Sequence, residues 1–293
     1  MSTIFPNTTG GAGGGAIGNV FGMLTVTGSR FSHNQAIGGN DNQGGAFVGH
    51  GFGGGIASGG PGSVTLTVGG STFDHNQAIG GNNNQSTIPS GTFGPGKADG
   101  GGITVFQGAG TISDSTLDHN VAMGGQGVAG GTGGLGAGGG IVIASFYQPV
   151  SASVRDCAII DNSAIGGQAG AGGNGGDAWG GGIAVTAGAS LTVIGSIIDH
   201  NQAQGGAADT SGLSSQGGNG LGGGLYNGTG STLTISASTI TDNEAHASQG
   251  HNGGSDGTGV GGGIYSLGSL SYLDTIIEHN HADTSNDDLF PGP

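Results

Sequence analysis

Positive charge is almost absent: Arg30, Lys97 and Arg155 are the only cations among 293 residues, against 18 acidic side chains, and the formal net charge is -15. Holding a phosphate backbone or an anionic bilayer surface takes many Lys and Arg, so nucleic acid is excluded as a partner. Cysteine is reduced to Cys157, which rules out a disulfide within the chain. No apolar run approaches the roughly 18 residues that a membrane-spanning helix needs, so no transmembrane segment is expected. Met1 to Gly10 also lacks the basic and apolar regions of a signal peptide. Aromatic residues make up 5% of the chain and charged ones 7%, and no stretch repeats its apolar positions at the helical period. Helices are further opposed by 76 glycines, each costing about 1 kcal/mol relative to alanine inside a helix. The long glycine segments contain no GKS or GKT, which excludes a phosphate-binding loop.

Such a composition would ordinarily mean disorder. The apolar residues recur at a fixed period, however, which is how a solenoid announces itself: each unit buries its face only against its neighbours. Seven glycine openings start the units near residues 14, 53, 100, 138, 180, 222 and 261, with intervals of 39, 47, 38, 42, 42 and 39. After each comes an alternating pair such as Leu24/Val26, Leu66/Val68, Leu191/Val193 or Leu233/Ile235, the period-two mark of a strand with one buried face. A small residue and then a large one follow at constant spacing, as in Ser71/Phe73 and Ser196/Ile198. Three residues after the large one stands an asparagine in every unit: Asn34, Asn76, Asn120, Asn162, Asn201, Asn243 and Asn280. Two residues later stands alanine, from Ala36 to Ala282.

About 25 residues per unit therefore keep register, and a glycine-rich segment of variable length completes it, where length variation belongs in loops. The reading is an all-β parallel β-helix, or β-solenoid, of about seven coils with long Gly-rich loops. Residues 1–13 form a lead-in or cap strand, with Ser2 to Pro6 as an extra strand, 14–283 the single β-helix domain and 284–293 a tail. At the parallel-strand spacing, seven coils make a core roughly 34 Å long. The asparagines are assigned to tight turns, because Asn tolerates left-handed backbone angles and its amide can bond the neighbouring coil. The alanines fit where the coil leaves little room, and the paired glycines supply either unusual angles or close approach.

Gly14-Gly15-Ala16-Ile17, with Phe31-Ser32-His33-Asn34 and Phe73-Asp74-His75-Asn76, resembles the paired GGA[IL] and FxxN motifs of polymorphic membrane protein passengers. Later units vary this to Gly-Gly-Gly-Ile, with Leu or Ile in place of Phe. The resemblance runs from about residue 14 to 290, and it implies a right-handed β-helix that is exported, extracellular or cell-surface, and adhesive.

Two rows and several short motifs bear on chemistry. The pairs Asp74-His75, Asp118-His119, Asp199-His200 and Glu278-His279 precede the asparagine in their units, and five of nine histidines share that slot. Stacked at coil spacing they are candidate ligands for zinc or calcium, although Ser32, Ile160 and Thr241 interrupt the acidic column. Thr25, Thr67, Thr111, Ser153, Thr192, Thr234 and Ser271 form an all-hydroxyl row between the paired apolar positions, a candidate surface for ice or glycans. Gly49-His50-Gly51 matches part of a polygalacturonase motif, and Gly172 to Gly180 matches a calcium-binding nonapeptide once, with Asp177 in the ligand place. Sequons stand at Asn7, Asn84 and Asn227.

No carboxylate pair marks a glycosidase, and three cations are too few to hold an acidic sugar. The expectation is a non-enzymatic structural or adhesive protein with no catalytic residues and no obligatory cofactor. Its partners would be itself, by end-to-end or lateral assembly, or surface glycans. Ice or glycan binding is the alternative, and a polysaccharide lyase or hydrolase the second. Open solenoid ends expose unpaired backbone, so end-to-end stacking or a longer parent protein is expected.

Overall fold

The alternating segments become short strands because every second side chain has a neighbouring coil to pack on. In the second unit these are Gly51–Phe52, Ile56–Gly59, Thr65–Gly69, Thr72–Asp74 and Gln77–Ile79. The structure, a computed structural model, describes residues 9–60, 62, 64–87, 94–145, 148–212 and 214–291. Equivalent strands of successive units pair in parallel and build five sheets, A to E in the order the chain visits them. Sheets A, C, D and E have seven strands and sheet B eight; Gln43–Gly44 and Gln85–Ser86 form a further pair. The chain is a right-handed parallel β-helix of seven coils, one per repeat. No helix occurs among the described residues, and none is long and apolar enough to cross a membrane.

Register is kept residue for residue. Leu24 lies beside Leu66, Val26 beside Val68, and Leu191 beside Leu233. The inward side chains stack into continuous ladders, one of Ile56, Ile103, Ile141, Ile183, Leu225 and Ile264, all wholly buried. The Phe31 and Phe73 rings stack 4.6 Å apart and within 3° of parallel. Each such side chain contributes about 1.5–3 kcal/mol by leaving water.

From Asn76 to Asn280 the asparagines are buried inside the corner between sheets D and E, with Asn34 half-buried, and none of the seven takes the left-handed angle expected of it. That conformation falls on the residue before, with φ of 57° at His33, 52° at His75, 53° at His119 and Asp161, 52° at His200, 53° at Asp242 and 59° at His279. The preceding residue makes the turn, which frees the asparagine to point inward. Asn76, Asn120, Asn162, Asn201 and Asn243 then form an amide ladder: each Nδ2 donates to the next Oδ1 at 2.9–3.0 Å, and each Oδ1 also accepts the preceding asparagine's backbone N–H. The ladder ends at Asn280, whose backbone N and Nδ2 both donate to Asp288 Oδ1.

Angle and close approach divide between the paired glycines. Gly53 has φ +57°, whereas a Cβ on Gly54 would lie 2.3 Å from Gly101 O and 2.4 Å from Gln77 N. The alanines sit where sheet E meets sheet A; Ala78, Ala98 and Ala122 pack together, as do Ala164, Ala178 and Ala203.

The glycine segments are not the tolerant loops that their varying length suggests. Outgoing and returning segments of successive coils interleave into a hydrogen-bonded column: Gly125 N donates to Gly96 O, Gly134 N to Gly125 O, Gly167 N to Gly134 O, Gly176 N to Gly167 O and Gly206 N to Gly176 O. A Cβ on Gly125 or Gly167 would come within 2.0 Å of a carbonyl oxygen. Backbones this close leave no room for a side chain at these positions. Between this side lobe and the outer faces of sheets A and B lies a second core that includes Phe47, Phe52, Phe106, Val142 and Tyr226.

Paired strand extends beyond 14–283 on both sides. Ala12–Gly13 pairs with Gly51–Phe52, and Leu289–Phe290 returns to pair with Ile264–Ser266, closing sheet B. The strand expected at Ser2 to Pro6 and the sequon at Asn7 lie outside the described residues. The other sequons are enclosed: Asn84 Nδ2 bonds Gly39 O, and the wholly buried Asn227 bonds Ser266 Oγ and Ser269 O.

Candidate functional site

With the inside filled by ladders, chemistry falls to outward side chains, and two rows stand out. The first is the outer face of sheet C. Thr25, Thr67, Thr111, Ser153, Thr192, Thr234 and Ser271 are register partners through all seven coils. A parallel column two residues earlier reads Met23, Thr65, Ala109, Ser151, Ser190, Thr232 and Ser269. Strand geometry sets these hydroxyls about 4.8 Å apart along the axis and about 6.6–6.8 Å across it. The face is nearly free of charge, Arg155 being its single cation.

The second row runs along the corner between sheets D and E. The left-handed residue turns its side chain outward, so His33, His75, His119, Asp161, His200, Asp242 and His279 form one exposed file. His33 stacks on His75 at 5.1 Å between ring centres, and His75 on His119 at 4.9 Å. Beside it, at the end of sheet D, runs the column Ser32, Asp74, Asp118, Ile160, Asp199, Thr241 and Glu278.

Within a coil the two columns pair. His75 Nδ1 lies 2.5 Å from Asp74, His119 Nδ1 2.6 Å from Asp118 and His200 Nδ1 2.9 Å from Asp199. Asp74 is also bound by Arg30 Nη2 at 2.6 Å, and the His75 hydrogen bond, helped by Ser32 and Arg30, holds its carboxyl below the usual range. His200 is pushed above its ordinary value by the hydrogen bond from its ring to Asp199, with Asp199, Asp242 and Asp161 adding their charges. Glu278 and His279 form no ion pair with each other among the described residues.

Across coils the arrangement departs from the expected ligand set. Two trios place their donor atoms within 4.8 Å of one another: Asp118, His119 and Asp161, and Asp199, His200 and Asp242. Asp118, His119, Asp199 and His200 are thus brought together with partners that sequence reasoning missed, whereas Asp74, His75, Glu278 and His279 join no trio among the described residues. Ile160 and Thr241 interrupt the acidic column because in those coils the acid stands one residue later, at Asp161 and Asp242 in the histidine file. A shallow groove lined by His119, Asp161, His200, Asp242, Ser163 and Glu244 connects the trios.

The two short motifs resolve into structure. Asp177 Oδ1 accepts both the backbone N and the Nδ2 of Asn219, tying one coil to the next. His50 is sealed beneath the side lobe against Phe47 and Phe52, with Nε2 2.6 Å from Gly94 O. Burial, assisted by the Lys97 charge, drives its pKa down to about 3. Lys97 and Asp99 lie beside it as an ion pair of 2.9 Å, each 1% exposed, and burial raises the Asp99 carboxyl.

No family model matches this sequence, and no curated protein matches it either.

Proposed function

We propose that the chain is a non-enzymatic extracellular or cell-surface scaffold, a rigid rod that adheres through the outer face of sheet C to a repeating hydroxylated surface such as a glycan array. The observation that carries this reading is the in-register hydroxyl column from Thr25 to Ser271 with its companion column beside it. Each hydroxyl both donates and accepts, so one type of side chain meets sugar hydroxyls in any orientation. Single contacts of this kind are weak, but a rigid row makes every contact after the first intramolecular, and avidity follows.

Two further observations support it. His50, the residue of the polygalacturonase-like motif, is sealed away from any substrate. The sheet C face carries no acid and one cation, Arg155, so no charge opposes the approach of a neutral sugar surface. The same hydroxyl spacing suits an ice lattice, which is the second reading.

The test is retention of the protein on insoluble cellulose and chitin, with Thr67→Lys/Thr111→Lys/Thr192→Lys as the outward variant and Thr116→Lys on sheet D as control. Retention of wild type and control, with loss in the triple variant, is expected; equal retention of all three removes the sheet C face from the reading. Thermal hysteresis above that of buffer, lost in the same variant, would transfer the face to ice.

A further inference from the structure

The β-helix has two corners with the same backbone demand and different chemistry. Between sheets C and D the left-handed residue is Gly28, Gly70, Asp114, Asp156, Gly195, Ala237 or Asp274; between D and E it is His33, His75, His119, Asp161, His200, Asp242 or His279. Glycine, asparagine and aspartate satisfy a left-handed angle at least as well as histidine. The C–D corner uses Gly or Asp in six coils and Ala237 in the other, with no histidine, while the D–E corner has five histidines and neither Gly nor Asn. Backbone need is common to both, so something else selects imidazole in one file.

We infer that the D–E corner binds two divalent transition-metal ions, with zinc as the type ion, one in the trio Asp118, His119 and Asp161 and one in the trio Asp199, His200 and Asp242. Each trio combines one imidazole nitrogen with two carboxylates, a three-ligand set that leaves a coordination position open to water or an external ligand. Calcium, which takes six to eight oxygen ligands, is poorly served by it. The donor atoms lie within 4.8 Å of one another, and atoms bound to one zinc at about 2.0–2.2 Å are at most about 4.4 Å apart. Small movements of exposed side chains close that gap.

The placement also says which coils do not bind. Asp74-His75 faces His119 instead of a carboxylate, and Asp74 is already held by Arg30. The stoichiometry is therefore two ions per chain, although three Asp-His pairs precede an asparagine. The trios flank one groove two coils apart, roughly 10 Å from the parallel-strand spacing. Their open positions point to bridging by an anionic or hydroxyl-bearing ligand on the surface the rod meets.

Calorimetric titration of the full chain with zinc chloride at neutral pH tests this. Wild type is expected to bind two ions, Asp161→Asn one, Asp242→Asn one, and the double variant none, while Asp74→Asn keeps two. Asparagine tolerates the left-handed angle and these side chains are exposed, so the variants should fold, and unchanged circular dichroism and melting check it. No heat at millimolar zinc, zinc binding that survives the double variant, or calcium binding with equal affinity at the same residues would overturn the assignment.

Discussion

Replacing Asn162 with alanine tests whether the asparagine ladder is a hydrogen-bonded element or merely a filled corner. Asn162 Oδ1 accepts from Asn120 N and Nδ2 at 3.0 and 2.9 Å; its Nδ2 donates to Asn201 Oδ1, Leu117 O and Ile160 O at 3.0, 2.9 and 2.9 Å. Two amide hydrogens serve those three acceptors, so about four hydrogen bonds are lost; the backbone N–H of Asn120 loses its acceptor in a corner that water does not reach, while Asn201 Oδ1 keeps only the backbone N–H of residue 162. At about 1 kcal/mol for each net bond, rising where a buried group is left unpaired, Asn162→Ala costs about 3–5 kcal/mol. Asn34→Ala, at the half-buried first rung, loses the 2.8 Å bond from Nδ2 to Asn76 and should cost about 1 kcal/mol. Asn162→Asp should be worse than alanine, since it turns an oxygen toward three acceptors. Guanidinium unfolding followed through Trp179, the only tryptophan, measures all three. An Asn162→Ala loss no larger than that of Asn34→Ala would refute the reasoning.

Two other outcomes follow from the interior. Gly167→Ala would place a Cβ 2.0 Å from Gly125 O, whereas Gly28→Ala meets nothing within 4 Å and carries only the strain of φ +53°. The first should cost about 3 kcal/mol and the second about 1–2 kcal/mol, compared by the same unfolding assay; equal losses would show that the glycine column is loosely packed. His50, held near pKa 3 in the fold against 6.5 unfolded, contributes stability that is intact above pH 6.5. That contribution falls as pH drops toward 3, by about 1.4 kcal/mol per pH unit; His50→Phe should flatten the slope in acid unfolding, and an unchanged slope would assign the acid sensitivity elsewhere.

The coil was legible because its constraints are local and repeat. Leu66/Val68, Ser71/Phe73, Asn76 and Ala78 each report one position on the coil, and seven copies fix the stacking. Legibility failed where a constraint lies between coils. Intrinsic preference puts the left-handed angle on asparagine, yet tertiary packing gives the better-enclosed position to the amide and leaves the turn to His or Asp. Asp161 lies 42 residues from His119 in sequence, and nothing in either local segment says that they meet. The glycine segments are loops, as their variable length indicates, but their tolerance is not legible from length: the glycines at 80–81, 124–125, 166–167 and 205–206 are fixed by backbones of neighbouring coils.

That division explains how so sparse a sequence specifies one structure. A chain with little apolar surface can stay ordered when its backbone is satisfied nearly everywhere, and here sheets, asparagine ladder and glycine column each pair backbone groups across every coil step. An outward residue on sheet C or at the D–E corner enters none of those pairings, so it changes at small cost to the fold. Uniformity among outward residues therefore needs its own cause. A hydroxyl at every rung from Thr25 to Ser271 has one candidate cause in strand preference, because Thr packs well on an exposed pleat. The histidine file has no such cause, because His is no better suited to a left-handed turn than the glycine and aspartate of the opposite corner. Of the two outward rows, the histidine file is the one that strand preference does not explain, and the zinc titration decides whether a ligand explains the part of it at His119 and His200.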